Sequence, residues 1–489
     1  MGSYKSLSKS KYISGLQCLK LLWVQINDPS RLPPTPPGTQ NVFDQGHEVG
    51  FLAQKLFPGG ILLQSEDFGK NLKETKASLN LRKPIFEAGF SANRLYCRVD
   101  VLNPSAKDAW DIVEVKSTNS VKEEQLEDVA FQRHTCRTAG LKINRCYVMH
   151  LNGDYVRHGE IDLDQLFVME DVTDQLDAHA IGLEERIAGM LDAVSLPVCP
   201  EISIGGHCTS PFGCPLKDEC WAYLPEHNVF TMNRLGSKAE DLLAKGILDI
   251  KDIPVDFPMN VKQQIQQQCV VCGKPHIKPS EIKGFLDTLE YPLHFMDFET
   301  FETAVPMFDN LSPHQPITFQ FSVHIIESLE SVPLHISYLG EGKGDPRPGF
   351  LSELKKAIGA KGSIVVYNQT FEKTRLKELA STFPEYEEWV EGMLERITDL
   401  LVPFRNFSYY HPAQKGSASL KKVMPAVTGV SYDDLEIGEG QMASLKYMEA
   451  EFGDIPEEDR QAIRTGLEVY CGQDTGGMIW IIKRLASLE

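Results

Sequence analysis

Two α/β units in succession are the architecture the sequence predicts, and three observations predict it. The chain has 489 residues, more than one domain of about 100–200 residues would use. Strand-like apolar runs alternate with helical periodicity in the first half. A new buried strand, LHFMDF, then starts a second series of strands and helices after a small helical connector.

Each element follows from its own pattern. A short helical start ends in the Pro-rich break DPSRLPPTPPGT at 28–39. Residues 41–56 read as a helix through Val42, Val49, Leu52 and Leu56. The runs 85–91, 95–102 and 111–116 read as strands, 122–140 as a helix and 144–151 as a strand. That order describes a mixed α/β domain. Residues 171–194 are expected to form one amphipathic helix, and the cysteine-rich, turn-rich stretch 199–221 closes the unit. The expected division is 1–225, a helical connector at 226–280, and 281–489, with no internal repeat or low-complexity tract.

Composition narrows the class. Hydrophobic residues at 42% and charged residues at 24% fit a globular protein and exclude disorder, collagen and a disulfide-dense mini-protein. No stretch of about 18 apolar residues suggests a membrane span. The N-terminus lacks an apolar core with a cleavage site, so a cytoplasmic protein is expected. The net charge of −19 argues against indiscriminate nucleic-acid binding, which needs positive surface. It does not exclude a nuclease, which gathers carboxylates around metal ions. Residues 1–225 carry −6 and the remainder −13, while Lys5, Lys9, Lys11 and Lys20 precede the first acid, Asp28. That basic arm is either simply solvated or a phosphate contact.

Three constellations carry chemistry. In RVDVLNPSAKDAWDIVEVKST, Asp100 ends one strand, while Glu114 and Lys116 lie two apart on the next and so share a face. Two carboxylates suit a hard cation such as Mg²⁺ or Mn²⁺, and a neighbouring lysine can stabilise charge at phosphorus. With His47 in QGHEVG, Glu87 in FEAGF and Gln132 in DVAFQRHTC, this resembles the PD-(D/E)XK nucleases, a restriction-endonuclease-like fold. The closer likeness is to their RecB-like branch, which includes the CRISPR-adaptation and AddB-type enzymes. The resemblance implies that His47, Glu87, Asp100 and Glu114 hold metal and that Lys116 and Gln132 are catalytic. The tyrosine usual on the glutamine helix is absent; His134 and Cys136 stand nearby.

Eleven cysteines in a chain expected to be cytosolic point to metal or redox chemistry rather than disulfides. GGHCTSPFGCPLKDECW spaces Cys208, Cys214 and Cys220 six apart. Four thiolates make a closed site, and Cys18 can be the fourth. The same RecB-like enzymes clamp a [4Fe–4S] cluster with one cysteine before the nuclease core and three after it. The resemblance therefore implies Cys18, Cys208, Cys214 and Cys220 as cluster ligands. Zinc is the alternative metal, and Cys199 or His207 an alternative ligand, because the Cys208–Cys214 gap is longer than the family's. Cys269 and Cys272, near His276, make only half a zinc site. Cys97, Cys136, Cys146 and Cys471 read as core residues. MNRLGSKAEDLLAKGILDIKDI in the connector resembles part of a helix-hairpin-helix, whose helix N-terminus can meet a phosphate; a plain helical linker is the alternative.

In YPLHFMDFETF, Asp297 and Glu299 share a strand face. SIVVYNQTFEKTRLKEL runs from strand into helix through Asn368, Phe371 and Glu372, and ITDLLVPF follows with Asp399. Tyr470 and Asp474, four apart, share a helical face. This ordered set resembles the DEDD exonucleases of ribonuclease-H-like fold. The resemblance implies that Asp297, Glu299, Glu372 and Asp474 hold two Mg²⁺ ions, with Tyr470 orienting the water and Lys421 or Lys422 meeting phosphate. Glu372 replaces the family's aspartate, and Asp399 is supportive. The DFET…YN..FE…YC..DT pattern also resembles a bacterial family known chiefly as a domain of unknown function.

The expected activity is a two-centre, metal-dependent nuclease that hydrolyses DNA in end processing, repair or defence. The alternatives are a ribonuclease, since the motifs do not separate DNA from RNA, and a non-catalytic nucleic-acid scaffold. Nucleic acid is the expected partner, and a membrane is not.

Overall fold

A computed structural model describes residues 6–105 and 108–488; Lys5 of the basic arm lies outside them. Mixed α/β structure is present throughout. The chain divides into two compact units, 1–223 with 303–315, and 224–302 with 316–489. The division differs from the expected one in two respects. The connector belongs to the second unit, and the stretch 303–315 belongs to the first. There Arg157 donates through Nη1 to the carbonyls of Pro306 (2.9 Å) and Met307 (2.6 Å).

The first unit runs β1 (Leu7–Ser8), α1 (Lys9–Gln17), α2 (Leu19–Asn27), α3 (Pro37–Gln54), β2 (Ile61–Leu62) and α4 (Phe68–Leu79). It continues through β3 (Ile85–Ala92), β4 (Leu95–Pro104), β5 (Trp110–Val115), α5 (Glu123–Thr138) and β6 (Ile143–Leu151). It ends with α6 (Leu163–Leu166), β7 (Phe167–Asp171), α7 (Leu176–Ala180), α8 (Leu183–Ser195) and α9 (Lys217–Trp221). One sheet is ordered β2-β3-β4-β5-β6-β7, with β1 paired to β4. Asn93 and Arg94, both at positive φ (48° and 67°), make the two-residue turn between β3 and β4, as a tight hairpin requires. Helix α5 is the crossover that makes β5 and β6 parallel. Alternate residues of β4 (Leu95, Cys97, Val99, Val101) are buried, the period-two signature of a strand.

The single helix expected over 171–194 is not formed. Asp171 ends a strand, and two helices meet at Gly182 with φ at 70°. An L-residue rarely takes that conformation and glycine takes it freely, so the amphipathic period is cut there.

The second unit begins with α10 (Lys238–Ala244), α11 (Val261–Cys272), β8 (His276–Ile277) and α12 (Pro279–Leu286). Then come β9 (Leu293–Phe301), β10 (Ile317–Ile326), β11 (Leu334–Leu339), α13 (Arg347–Ala357), β12 (Ile364–Val366), α14 (Gln369–Thr382), α15 (Glu387–Arg396) and β13 (Ile397–Asp399). The remainder is α16 (Val402–Arg405), β14 (Tyr409–Tyr410), α17 (Leu420–Thr428), α18 (Gly440–Phe452) and α19 (Glu457–Ala486). The main sheet is ordered β11-β10-β9-β12-β13. β9 pairs antiparallel with β10 and parallel with β12. As the central strand, β9 is covered on both faces, and Leu293, Phe295, Met296, Phe298 and Phe301 are all buried. No helix among the described residues is long and apolar enough to cross a membrane.

Candidate functional site

In the second unit, β9 carries Asp297 and Glu299, and α19 brings Tyr470, Cys471 and Asp474. Ligand atoms of Asp297, Glu299 and Cys471 all lie within 4.8 Å of one another. Tyr432 donates its hydroxyl to Asp474 Oδ1, and Cys471 Sγ lies 3.9 Å from Asp297 Oδ2. Burial, then Asp474, raises the Asp297 carboxyl well above its ordinary range. Burial, then Asp297 and Asp474, does the same to Glu299. Burial pushes Asp474 up to about 6 against the pull of the Tyr432 hydrogen bond and Lys421. These are the marks of buried like charges without enough compensation.

Glu372, on α14, is 1% exposed, and its Oε2 has no hydrogen-bond partner among the described residues. Burial, then Asp297, raises its carboxyl. Glu372 thus brings an orphaned, buried carboxylate oxygen toward Asp297, and carboxylate oxygens of this kind are donors that fit a hard divalent cation. Asp399 is half-satisfied: its Oδ2 has no hydrogen-bond partner among the described residues and lies 3.8 Å from Arg405, while its Oδ1 accepts from the amides of Asn368 (2.9 Å) and Leu401 (3.0 Å). It thereby holds Asn368 at φ 75°, at the start of α14. The acids Asp297, Glu299 and Asp474 open into a cavity of about 950 Å³, also lined by Arg234, Lys262, Arg405, Lys421 and Tyr470. Lys421 lies 5.4 Å from the Tyr470 ring centroid, while Lys422 is exposed.

In the first unit, four expected residues and two unexpected ones form one network. Lys116 Nζ donates to Glu114 Oε1 (2.7 Å) and Asp128 Oδ2 (2.8 Å). Gln132 Nε2 donates to Glu114 Oε2 (2.7 Å) and Asp128 Oδ1 (3.0 Å). Asp100 Oδ2 accepts from the Val115 amide (2.8 Å). Lys9, read from the sequence only as part of a basic arm, reaches Glu114 Oε1 (2.8 Å) and Asp100 Oδ1 (3.4 Å). Burial opposes the charge on Glu114, yet Lys116 and Lys9 hold its carboxyl well below the usual range. Burial, then Glu114, pushes Asp100 up to about 7. Glu87 sits at φ 59° on β3; burial raises its carboxyl while Lys9, Arg98 and His47 pull it down. His47 is exposed on α3, so it interacts with Glu87 only electrostatically and does not join the hydrogen-bonded network. His134 stands apart, 4.0 Å from Glu184.

The cysteines Cys18, Cys208, Cys214 and Cys220 line one small pocket with His207 and Lys20, and all four are free thiols. Cys18 is the residue between α1 and α2. Burial raises the Cys214 thiol, and Cys18, Cys208 and Cys220 raise it further. Four sulfurs around one void are a donor set that fits a thiolate-ligated metal group. Cys199 lies outside that pocket lining but packs against the same cluster as Cys18, Cys214 and Cys220, and it interacts with Arg31. Cys269 packs with Ile265, Phe407 and Tyr410, and Cys272 is exposed. Cys97, Cys136 and Cys146 are buried in the core, whereas Cys471 is buried beside the carboxylates.

Sequence reasoning missed Lys9, Asp128, Tyr432 and Arg234. Asp128 had a usable signal, standing one helical turn before Gln132; Lys9 and Arg234 were visible only as parts of a basic arm and of the connector, and Tyr432 had no signal.

Comparison with known proteins reaches part of the chain. Residues 294–419 match the model of a family described as a domain of unknown function (DUF2779). That segment includes Asp297, Glu299, Glu372 and Asp399, and leaves out Tyr470 and Asp474. The chain is 30% identical over 228 residues to the uncharacterized protein MG366 homolog of Mycoplasma pneumoniae, covering 41% of the chain and 33% of the relative. It is 28% identical over 223 residues to the uncharacterized protein UU173 of Ureaplasma parvum, covering 39% and 31%. The chain thus spans about a third of the length of these curated relatives.

Proposed function

We propose that the chain is a metal-dependent nuclease with two hydrolytic centres, acting on DNA. The observation that carries the reading is the set Asp297, Glu299, Glu372 and Asp474. Three of these acids are buried and Asp297 is half-buried; Lys421 offsets only part of the charge on Asp297, Glu299 and Asp474, and those three open into a cavity lined by arginine and lysine. Mg²⁺ or Mn²⁺ held by these carboxylates would supply Lewis acidity to the phosphoryl group. The Tyr470 hydroxyl orients the attacking water, and Lys421 offsets charge at the phosphate. We read the second unit as a ribonuclease-H-like, DEDD-type exonuclease fold on these grounds.

The first unit is read as a PD-(D/E)XK, RecB-like nuclease. Its support is the Asp100–Glu114–Lys116–Gln132 network. Lys116 holds a proton at Nζ between Glu114 and Asp128, which keeps it cationic where charge on phosphorus would develop. Cys18, Cys208, Cys214 and Cys220 would hold a [4Fe–4S] cluster, with zinc the alternative.

The test is the full chain against labelled single-stranded DNA, duplex DNA and RNA with Mg²⁺ or Mn²⁺, comparing Asp297→Asn and Asp100→Asn. Each substitution should lower one activity about 100-fold or more. Cleavage of RNA alone would replace DNA with RNA as substrate. Loss of activity with neither substitution would sink the catalytic assignment and leave a nucleic-acid-binding scaffold.

A further inference from the structure

The cavity above Asp297, Glu299 and Asp474 has a wall that the nuclease reading does not use. Asn233, Arg234, Asn260, Val261 and Lys262 line it, all from the connector and all outside the matched segment 294–419. Four cations line this cavity (Arg234, Lys262, Arg405 and Lys421), although residues 226–489 carry −13. Two of them are already engaged. Arg405 lies 3.8 Å from Asp399, and Lys421 interacts with Asp297, Glu299 and Asp474. The other two keep their charge available. Lys262 Nζ donates to the neutral carbonyl of Arg405 at 2.8 Å. Arg234 is exposed and has no ion pair among the described residues.

Arg234 is also held where it is. Its φ is 49°, a region that non-glycine residues rarely occupy and that persists only where the surroundings enforce it. The enforcement comes from two buried glutamines of α11. Gln266 Oε1 accepts from the Asn233 amide (2.8 Å), and Gln263 Nε2 donates to the Asn233 carbonyl (2.9 Å). Gln266 Nε2 donates to the Thr231 carbonyl (2.9 Å), and Asn233 Nδ2 to that of Gly416 (3.2 Å). The backbone before Arg234 is thus tied on both sides by side chains that are 5% and 0% exposed. The α11 N-terminus itself is not the anion site. Asn260 and Gln263 cap each other's amides there (3.0 and 2.9 Å).

We propose that Arg234 and Lys262 form a clamp for the backbone phosphates of a nucleic-acid strand whose end lies at Asp297, Glu299 and Asp474. The proposal deepens the nuclease reading of this cavity. A polyanion approaching an acidic floor needs fixed cations beyond those floor acids, and contacts to phosphate position a strand without reading its sequence. DNA and RNA share that chemistry.

The test uses the full chain carrying Asp297→Asn, with fluorescent (dT) and (rU) oligomers containing 4-thiothymidine or 4-thiouridine. Illumination should attach the oligomer to peptides covering 230–235 and 260–264. Arg234→Ala and Lys262→Ala should each abolish those adducts and weaken binding at least tenfold, with the salt slope falling by about 1. Arg234→Lys and Lys262→Arg should restore them, which separates lost charge from lost folding. Adducts confined to other segments, or adducts that survive both alanine substitutions, overturn the clamp. Binding and adducts of this kind without any wild-type cleavage would uphold the clamp and overturn the nuclease reading instead. The DNA and RNA arms identify which polymer binds.

Discussion

Lys9 Nζ and Glu114 Oε1, 105 residues apart in the chain, lie 2.8 Å from each other in the first unit. The ammonium also stands 3.4 Å from Asp100. A lysine thus fills part of the space that a cation bound by both carboxylates would need.

Lys9→Met should therefore change metal affinity and stability together. Removing one partner of a buried ion pair costs about 3–5 kcal/mol in the limit of full burial. Lys9 is 27% exposed and Lys116 still pairs with Glu114, so the expected loss is smaller, about 1–2 kcal/mol. Added Mn²⁺ should recover more stability in the variant than in the parent. Denaturant melts with and without Mn²⁺ decide it; a metal-independent loss would show that Lys9 does not compete with the ion.

Asp297→Asn should trade activity for stability. The carboxyl is held above its ordinary range by burial and by Asp474, so its charged form destabilises the fold when no cation is present. Without metal the variant should melt a few degrees higher, corresponding to roughly 1 kcal/mol. Mg²⁺ should raise the melting temperature of the parent more than that of the variant. Scanning calorimetry in EDTA and in Mg²⁺ reads both effects.

Acid should destabilise the second unit through His324. Its ring stacks on His335 at 4.1 Å between centroids, and its Nδ1 is 2.7 Å from Thr475 Oγ1. Burial, then His335, lowers its pKa to about 4. A histidine whose folded pKa lies below its unfolded value of about 6.5 leaves the unfolded chain binding the extra proton. Its contribution is intact above pH ~6.5 and is lost as pH falls toward 4, by about 1–2 kcal/mol at pH 5. His324→Gln should flatten that part of the stability–pH curve; an unchanged curve would assign the acid lability elsewhere.

Cysteine-to-serine substitution at Cys214 should remove the bound metal group and lower the melting temperature of the first unit, since metal-binding energy is also folding energy. Metal analysis and visible absorption of protein purified without oxygen distinguish iron from zinc. A fully folded, metal-free parent would remove the cofactor.

The sequence was most informative where chemistry rides on regular structure. Two-residue spacing on β9 and β5, and four-residue spacing on α19, put Asp297 with Glu299, Glu114 with Lys116, and Tyr470 with Asp474 on common faces. It was silent where contacts depend on long-range docking. Nothing local distinguishes Lys9 from Lys11, or Tyr432 from other loop tyrosines, because each acquires its partner only when distant elements pack. The helix expected over 171–194 is broken for a local reason: apolar periodicity runs on across the window, but Gly182 takes a left-handed conformation that ends one helix and starts the next. His47 stands in the expected order along the chain, exposed on α3, and reaches its centre through its charge interaction with Glu87.

Helix α1 has Lys9 at its first position and Cys18 immediately past its last. Nine residues at 1.5 Å each make a rod of about 13 Å, so one short lever joins the thiol pocket to the acid pair. The two ends therefore share one helix that is pinned midway, because Tyr12 is buried and stacks on Phe131.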